Sequence, residues 1–119
     1  MDELWQYQIR FIELEPCEVS PIDKYVYRYQ HDSYFDAPTL SLRAYPVLRE
    51  TRKGCWIKYH SKEKWVDPKS GGFAQETKKA ALRRFIRRKT FYRSILGQKY
   101  DELGRVLEMA EKRLGELDE

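Results

Sequence analysis

Residues 77–117 read TKKAALRRFIRRKTFYRSILGQKYDELGRVLEMAEKRLGEL, and two patterns are superimposed in them. The first is a helical period. At about 100° per residue, Leu82, Phe85, Ile86, Tyr92, Leu96, Tyr100, Leu103, Leu107, Ala110, Leu114 and Leu117 share one apolar stripe. Thr77 is a suitable N-cap, and no proline interrupts the run. A single helix of about 40 residues would be about 60 Å long. A compact domain of 119 residues has a radius of gyration of only about 13–14 Å. The chain is therefore expected either to turn near Gly97 or to bury the distal stripe against another chain. Glycine costs only about 1 kcal/mol inside a helix and permits both. A homodimeric coiled coil assembled through Leu103, Leu107 and Leu114 is the natural form of the second.

The second pattern is charge. From Thr77 to Tyr100 there are nine Lys or Arg residues and no Asp or Glu. Residues 1–40 are net −5, residues 41–100 net +13 and residues 101–119 net −4, so the overall +4 conceals a strong asymmetry. Arg83, Arg84, Arg87 and Arg88 fall together opposite the apolar stripe, with Phe91 among them, Ile95 beside it and Lys79 one turn earlier. Arginine forks phosphate bidentately and phenylalanine stacks on an unpaired base. The same two residue types anchor protein interfaces. An anionic partner is expected for this face.

Outward from the helix, the chain turns to β-patterning. Trp5, Tyr7, Ile9 and Phe11 alternate with polar residues, and Tyr25, Tyr27 and Tyr29 do so again. Pro16–Pro21 reads as a turn and His31–Pro38 as a polar loop. Leu40, Leu42 and Ala44 predict a third strand ending near Pro46, Gly54–Tyr59 a fourth, and Trp65-Val66 a short fifth. Asp67-Pro68 and Ser70-Gly71-Gly72 break the chain before the helix. These elements predict an α+β protein: a twisted antiparallel sheet of four to five strands, then a long or Gly-broken amphipathic C-terminal helix. A single domain is expected, mostly β over 1–74 and helical over 75–119.

Composition narrows the function classes. Hydrophobic residues make up 41% of the chain and aromatic residues 14%, too many for general disorder. No apolar run approaches the roughly 20 residues that span a bilayer, and the N-terminus shows no signal-peptide pattern. Cys17 and Cys55 do not make a disulfide framework, and a reducing cytoplasm fits them. His31 and His60 are the only histidines, and neither they nor the cysteines stand at metal-ligand spacing. Cys55 beside Trp56 reads as a buried small hydrophobe. Ser70-Gly71-Gly72 lacks the Lys-Ser/Thr of a phosphate loop, and Asp32 with Asp36 reads as a solvated turn. No enzyme, metal or cofactor is expected.

The string Glu50-Thr51-Arg52-Lys53-Gly54-Cys55-Trp56-Ile57, then Lys64-Trp65-Val66, Phe73-Ala74, Thr77-Lys78-Lys79-Ala80-Ala81 and Phe85-Ile86-Arg87-Arg88-Lys89, resembles a group of small uncharacterised phage and prophage proteins. Their pattern is E-T-x-K-G-[YF]-W-I, K-W-V, F-A-x-x-T-K-E-E-A and F-x-x-R-K. About 40 residues are covered, with order and spacing both kept. Cys55 departs from the usual aromatic, and Lys79-Ala80 replaces an acidic pair, removing the capping-box carboxylate. The resemblance implies a phage origin, hence the cytoplasm of an infected bacterial host, and a strand–strand–helix unit. It implies no catalytic residues. The outline is also similar, more weakly, to the small DNA-reading domains of a class of plant transcription factors and of phage integrase arms. There a sheet backed by a helix presents its open face to the major groove. Trp56, Lys58, Lys62 and Lys64 would be the matching sheet-face contacts.

The expected role is that of a small phage accessory protein that binds nucleic acid, or a host nucleoprotein complex, through the Arg-rich helix face. A stoichiometric inhibitor of a bacterial defence complex, of the anti-CRISPR type, is the alternative. A virion or structural protein assembled through the C-terminal helix is the third.

Overall fold

The computed structural model describes residues 9–34, 37–69 and 72–117. Five strands and one helix follow in order: β1 (Arg10–Glu13), β2 (Tyr25–Tyr34), β3 (Ala37–Glu50), β4 (Cys55–Tyr59), β5 (Lys62–Val66) and α1 (Lys78–Glu116). The class is α+β, a mostly antiparallel five-stranded sheet followed by one long C-terminal helix. The chain divides into two compact units, residues 1–85 and 86–119.

In the first unit, β3 is the shared strand. Its N-terminal part pairs antiparallel with β2, from Tyr25↔Pro46 to Tyr34↔Ala37, and its C-terminal part pairs antiparallel with β4. Pro46 and a register shift between Val47 and Arg49 mark where β3 leaves one partner for the other. A proline, which cannot donate, and a bulge are what such a change of partner uses. β1 pairs with β3 in parallel, Arg10↔Thr39 through Glu13↔Leu42, so the sheet is not wholly antiparallel as the sequence suggested. The expected first strand from Trp5 begins outside the described residues; within them it covers Arg10–Glu13.

The expected polar loop over His31–Pro38 is replaced by strand: β2 continues to Tyr34 and β3 starts at Ala37. Asp32 makes this possible. Its Oδ2 accepts hydrogen bonds from Ser41 Oγ (2.5 Å) and Arg43 Nη2 (3.1 Å) on β3. Burial alone would raise the Asp32 carboxyl; the bonds from Ser41 and Arg43 outweigh it and hold the group below its ordinary 3.8. The solvated turn expected at Asp32 is thus a paired strand position, while Asp36 lies outside the described residues.

Both faces of β2 are covered over Val26–Tyr29. Val26 joins Tyr45, Val47, Cys55, Ile57, Val66 and Ala74 in one core, with Tyr59 and Phe73 packed against it. Tyr29 joins Leu42 and Ala81 in a second, with Tyr27, Leu40, Leu82 and Phe85 around it. Cys55 is buried, as its strand position predicted, and burial pushes its thiol up. Beyond β5 the chain returns to the open edge of β2. Tyr27 and Gln75 exchange backbone hydrogen bonds of 2.7 and 2.8 Å, fixing the point from which α1 starts.

α1 runs unbroken through Gly97, so no turn forms there. No described residue from Ile86 onward is buried. No helix among the described residues is long and apolar enough to cross a membrane.

Candidate nucleic-acid interface

Thr77 caps α1: its Oγ1 accepts from the Ala80 N–H at 3.0 Å, satisfying one of the otherwise unpaired amides of the first turn. No acidic residue occupies that turn, so its positive dipole end adds to the cations that follow. Lys78, Ala81, Leu82 and Phe85 recur at helical spacing and form the face turned to the sheet. Ala81 is buried, Phe85 lies 6.4 Å ring-to-ring from Tyr29, and Lys78 Nζ is 3.0 Å from Glu13 Oε2. That bond to Glu13 raises the Lys78 ammonium above its ordinary value.

With that face against the sheet, helix geometry turns Arg83 and Arg84 away. Arg83, Arg87 and Lys79 are exposed, while Arg84 and Arg88 are half-buried. Among the described residues no ion pair involves Arg83 or Arg87. In the second unit Phe91, one helical turn after Arg87, is 69% exposed, and Ile95 beside it is half-buried. The arrangement is a row of guanidinium groups interrupted by one solvent-facing aromatic ring. It can bind a chain of phosphates and offer a platform to a base; it holds no nucleophile and no acid–base pair.

The expected sheet-face set does not form one surface. Tyr59 pairs with Lys62 across a turn at His60-Ser61, where His60 has a left-handed φ of 57°. This register puts Lys62 and Lys64 opposite Tyr59 and Ile57, whereas Trp56 faces Trp65 and Lys58 faces Glu63. Since cross-strand partners share a face, Trp56 and Lys58 lie on one side of the hairpin and Lys62 and Lys64 on the other. Trp56 is half-buried, with the Arg49 guanidinium 5.1 Å from its ring. Lys64 Nζ stands 4.2 Å from the centre of the Phe73 ring, and Arg28 covers the same ring at 4.4 Å. Lys64 is thus a packed cation inside an aromatic cluster with Tyr45 and Tyr59. The three proposed self-association residues, Leu103, Leu107 and Leu114, are all exposed.

One feature had no signal in the sequence. The segment Glu50–Cys55 lines a cavity of about 420 Å³ together with Lys24, Lys69 and Glu76. Lys24 Nζ bonds Glu50 Oε1 at 2.7 Å along it. Its basic and acidic groups come from segments far apart in the chain, and only the fold brings them together. Against known proteins, the chain matches no family model, no curated protein and no solved structure.

Proposed function

We propose that this chain is a small, non-enzymatic phage accessory protein that binds nucleic acid, or a nucleoprotein, through the Arg-rich face of α1. The observation that carries the reading is a segment with nine cations and no carboxylate between Thr77 and Tyr100, in which Arg83, Arg87 and Phe91 are exposed. Arg83 and Arg87, with Arg84 and Arg88 at its flanks, contact phosphate oxygens. These contacts give affinity and position without reading sequence. Phe91 stacks on an unpaired base, which favours single strands over duplex.

Self-neutralisation is the opposing physical effect, because the chain has acidic ends. Among the described residues the Glu13 carboxylate pairs with Lys78 of the helix, and Arg83 and Arg87 take part in no ion pair. The test is charge reversal. Arg83→Glu with Arg87→Glu is expected to abolish binding of a labelled single-stranded oligonucleotide at low salt, with the near-UV circular dichroism of the sheet unchanged. Binding retained by that variant would overturn the reading. If the unaltered protein ignored oligonucleotides but captured a defined host defence complex, the same Arg–Phe face would belong to a protein inhibitor instead.

A further inference from the structure

We propose that the α1 segment from Ile86 to Leu117 pairs antiparallel with the same segment of a second copy of this chain. The first reason is the unsatisfied stripe. Tyr92, Leu96, Tyr100, Leu103, Leu107, Leu114 and Leu117 are between 48% and 79% exposed along one helix face. A stripe at this spacing in a helical segment without buried residues is the form a coiled-coil seam takes before its partner is added.

The second reason is area. The segment is about 48 Å long and a helix is about 10 Å across, so full overlap covers about 500 Å² per helix. Two copies together then bury about 1,000 Å², which reaches the size of a specific interface.

The third reason fixes the direction. Residues 86–100 carry five cations (Arg87, Arg88, Lys89, Arg93, Lys99) and no carboxylate. Residues 101–117 carry five carboxylates (Asp101, Glu102, Glu108, Glu111, Glu116) against three cations. A parallel pair sets the basic half against the basic half. An antiparallel pair sets each basic half against an acidic one, and charge of this kind selects orientation.

The stripe itself agrees. Laying residues 86–117 over their own reverse puts a two-fold axis between Asp101 and Glu102. Tyr100 then meets Leu103, Leu96 meets Leu107, and Tyr92 packs beside the small Ala110. Beside the seam, Lys99 falls near Glu102 of the second copy, and Arg93 near its Glu108 and Glu111. Lys89, which sits on the stripe, lies 5.6 Å from the Tyr92 ring in its own helix. It can run its stem past Leu114 while its ammonium reaches water. Arg87 and Phe91 lie on the side of this segment away from the seam, so pairing leaves them free to contact nucleic acid.

The test combines sedimentation velocity with a spin-label distance. Sedimentation from micromolar to a few hundred micromolar is expected to show a dimer that weakens as salt rises. A nitroxide on Thr90→Cys, in a Cys17→Ser background that leaves the buried Cys55 in place, is expected to give an inter-label distance of about 35 Å. A distance under about 20 Å would mean parallel strands and would overturn the proposal, as would a monomer at the highest concentration. Glu108→Lys with Glu111→Lys, both on the exposed surface, is expected to raise the dimer Kd at least about tenfold at low salt. Adding Arg93→Glu to that variant should restore it; no change in Kd through this series would also overturn the proposal.

Discussion

Gly54 sits where the β3–β4 turn passes beneath β5, and a side chain there would run into the Val66 carbonyl oxygen and the Trp65 ring. The turn is held from the other side by Thr51, whose Oγ1 accepts from the Gly54 N–H and from Trp65 Nε1, each at 3.1 Å. Because the obstacle includes backbone, it cannot be moved by a rotamer change. Gly54→Ala is therefore expected to destabilise the sheet by about 1–3 kcal/mol, seen as a lower urea midpoint with an unchanged m-value. Asp32 gives a pH-dependent prediction with a definite sign. Its folded-state carboxyl titrates below the ordinary 3.8, so its contribution is full above that value and is lost as pH falls through the folded one. Asp32→Asn should lower Tm at neutral pH, and the gap to the parent should close on acidification below about pH 4. A gap independent of pH would show that the Ser41 and Arg43 bonds do not act through the charge.

At the scale of elements, α1 was the most legible part of the chain. Its stripe keeps one phase for eleven apolar positions, and Thr77 supplies the cap that the structure uses. Gly97 left the helix undecided in sequence because a glycine weakens a helix without breaking it. A Cβ at Gly97 meets nothing within 4 Å. Gly97→Ala is thus expected to raise helix stability by about 0.5–1 kcal/mol, read as higher Tm with unchanged sheet signals. The strands were legible where one face is uniformly apolar, as at Tyr25–Tyr29, and illegible where a polar residue finds its partner across the sheet. Asp32 looks like a turn residue until the fold brings the Ser41 and Arg43 side chains of β3 to its carboxylate. Lys62 and Lys64 looked cofacial with Trp56 because no single strand reveals the register of its hairpin. The parallel β1–β3 pair has no local signal at all. On the helix, Phe91→Ala should weaken binding of a single-stranded oligonucleotide by about 1–3 kcal/mol and leave duplex binding nearly unchanged. Equal losses on both would assign Phe91 to packing instead of stacking.

Over the whole molecule, the charge distribution is the feature that both proposals use. The chain is net +13 between residues 41 and 100 and acidic at either end. The candidate site was readable in outline, since the arginines and Phe91 share a face by helix geometry alone. What the sequence lacked was which helix face the sheet would take; Ala81, Leu82 and Phe85 settle that by packing on Tyr29 and Leu42. The most direct test is fluorescence anisotropy of labelled single- and double-stranded oligonucleotides with the purified protein at 50 and 200 mM salt. If about six phosphates are neutralised, affinity should fall roughly 10³-fold between the two, with the single strand bound more tightly. Affinity unchanged across that range, or no binding at the lower salt, would contradict the account.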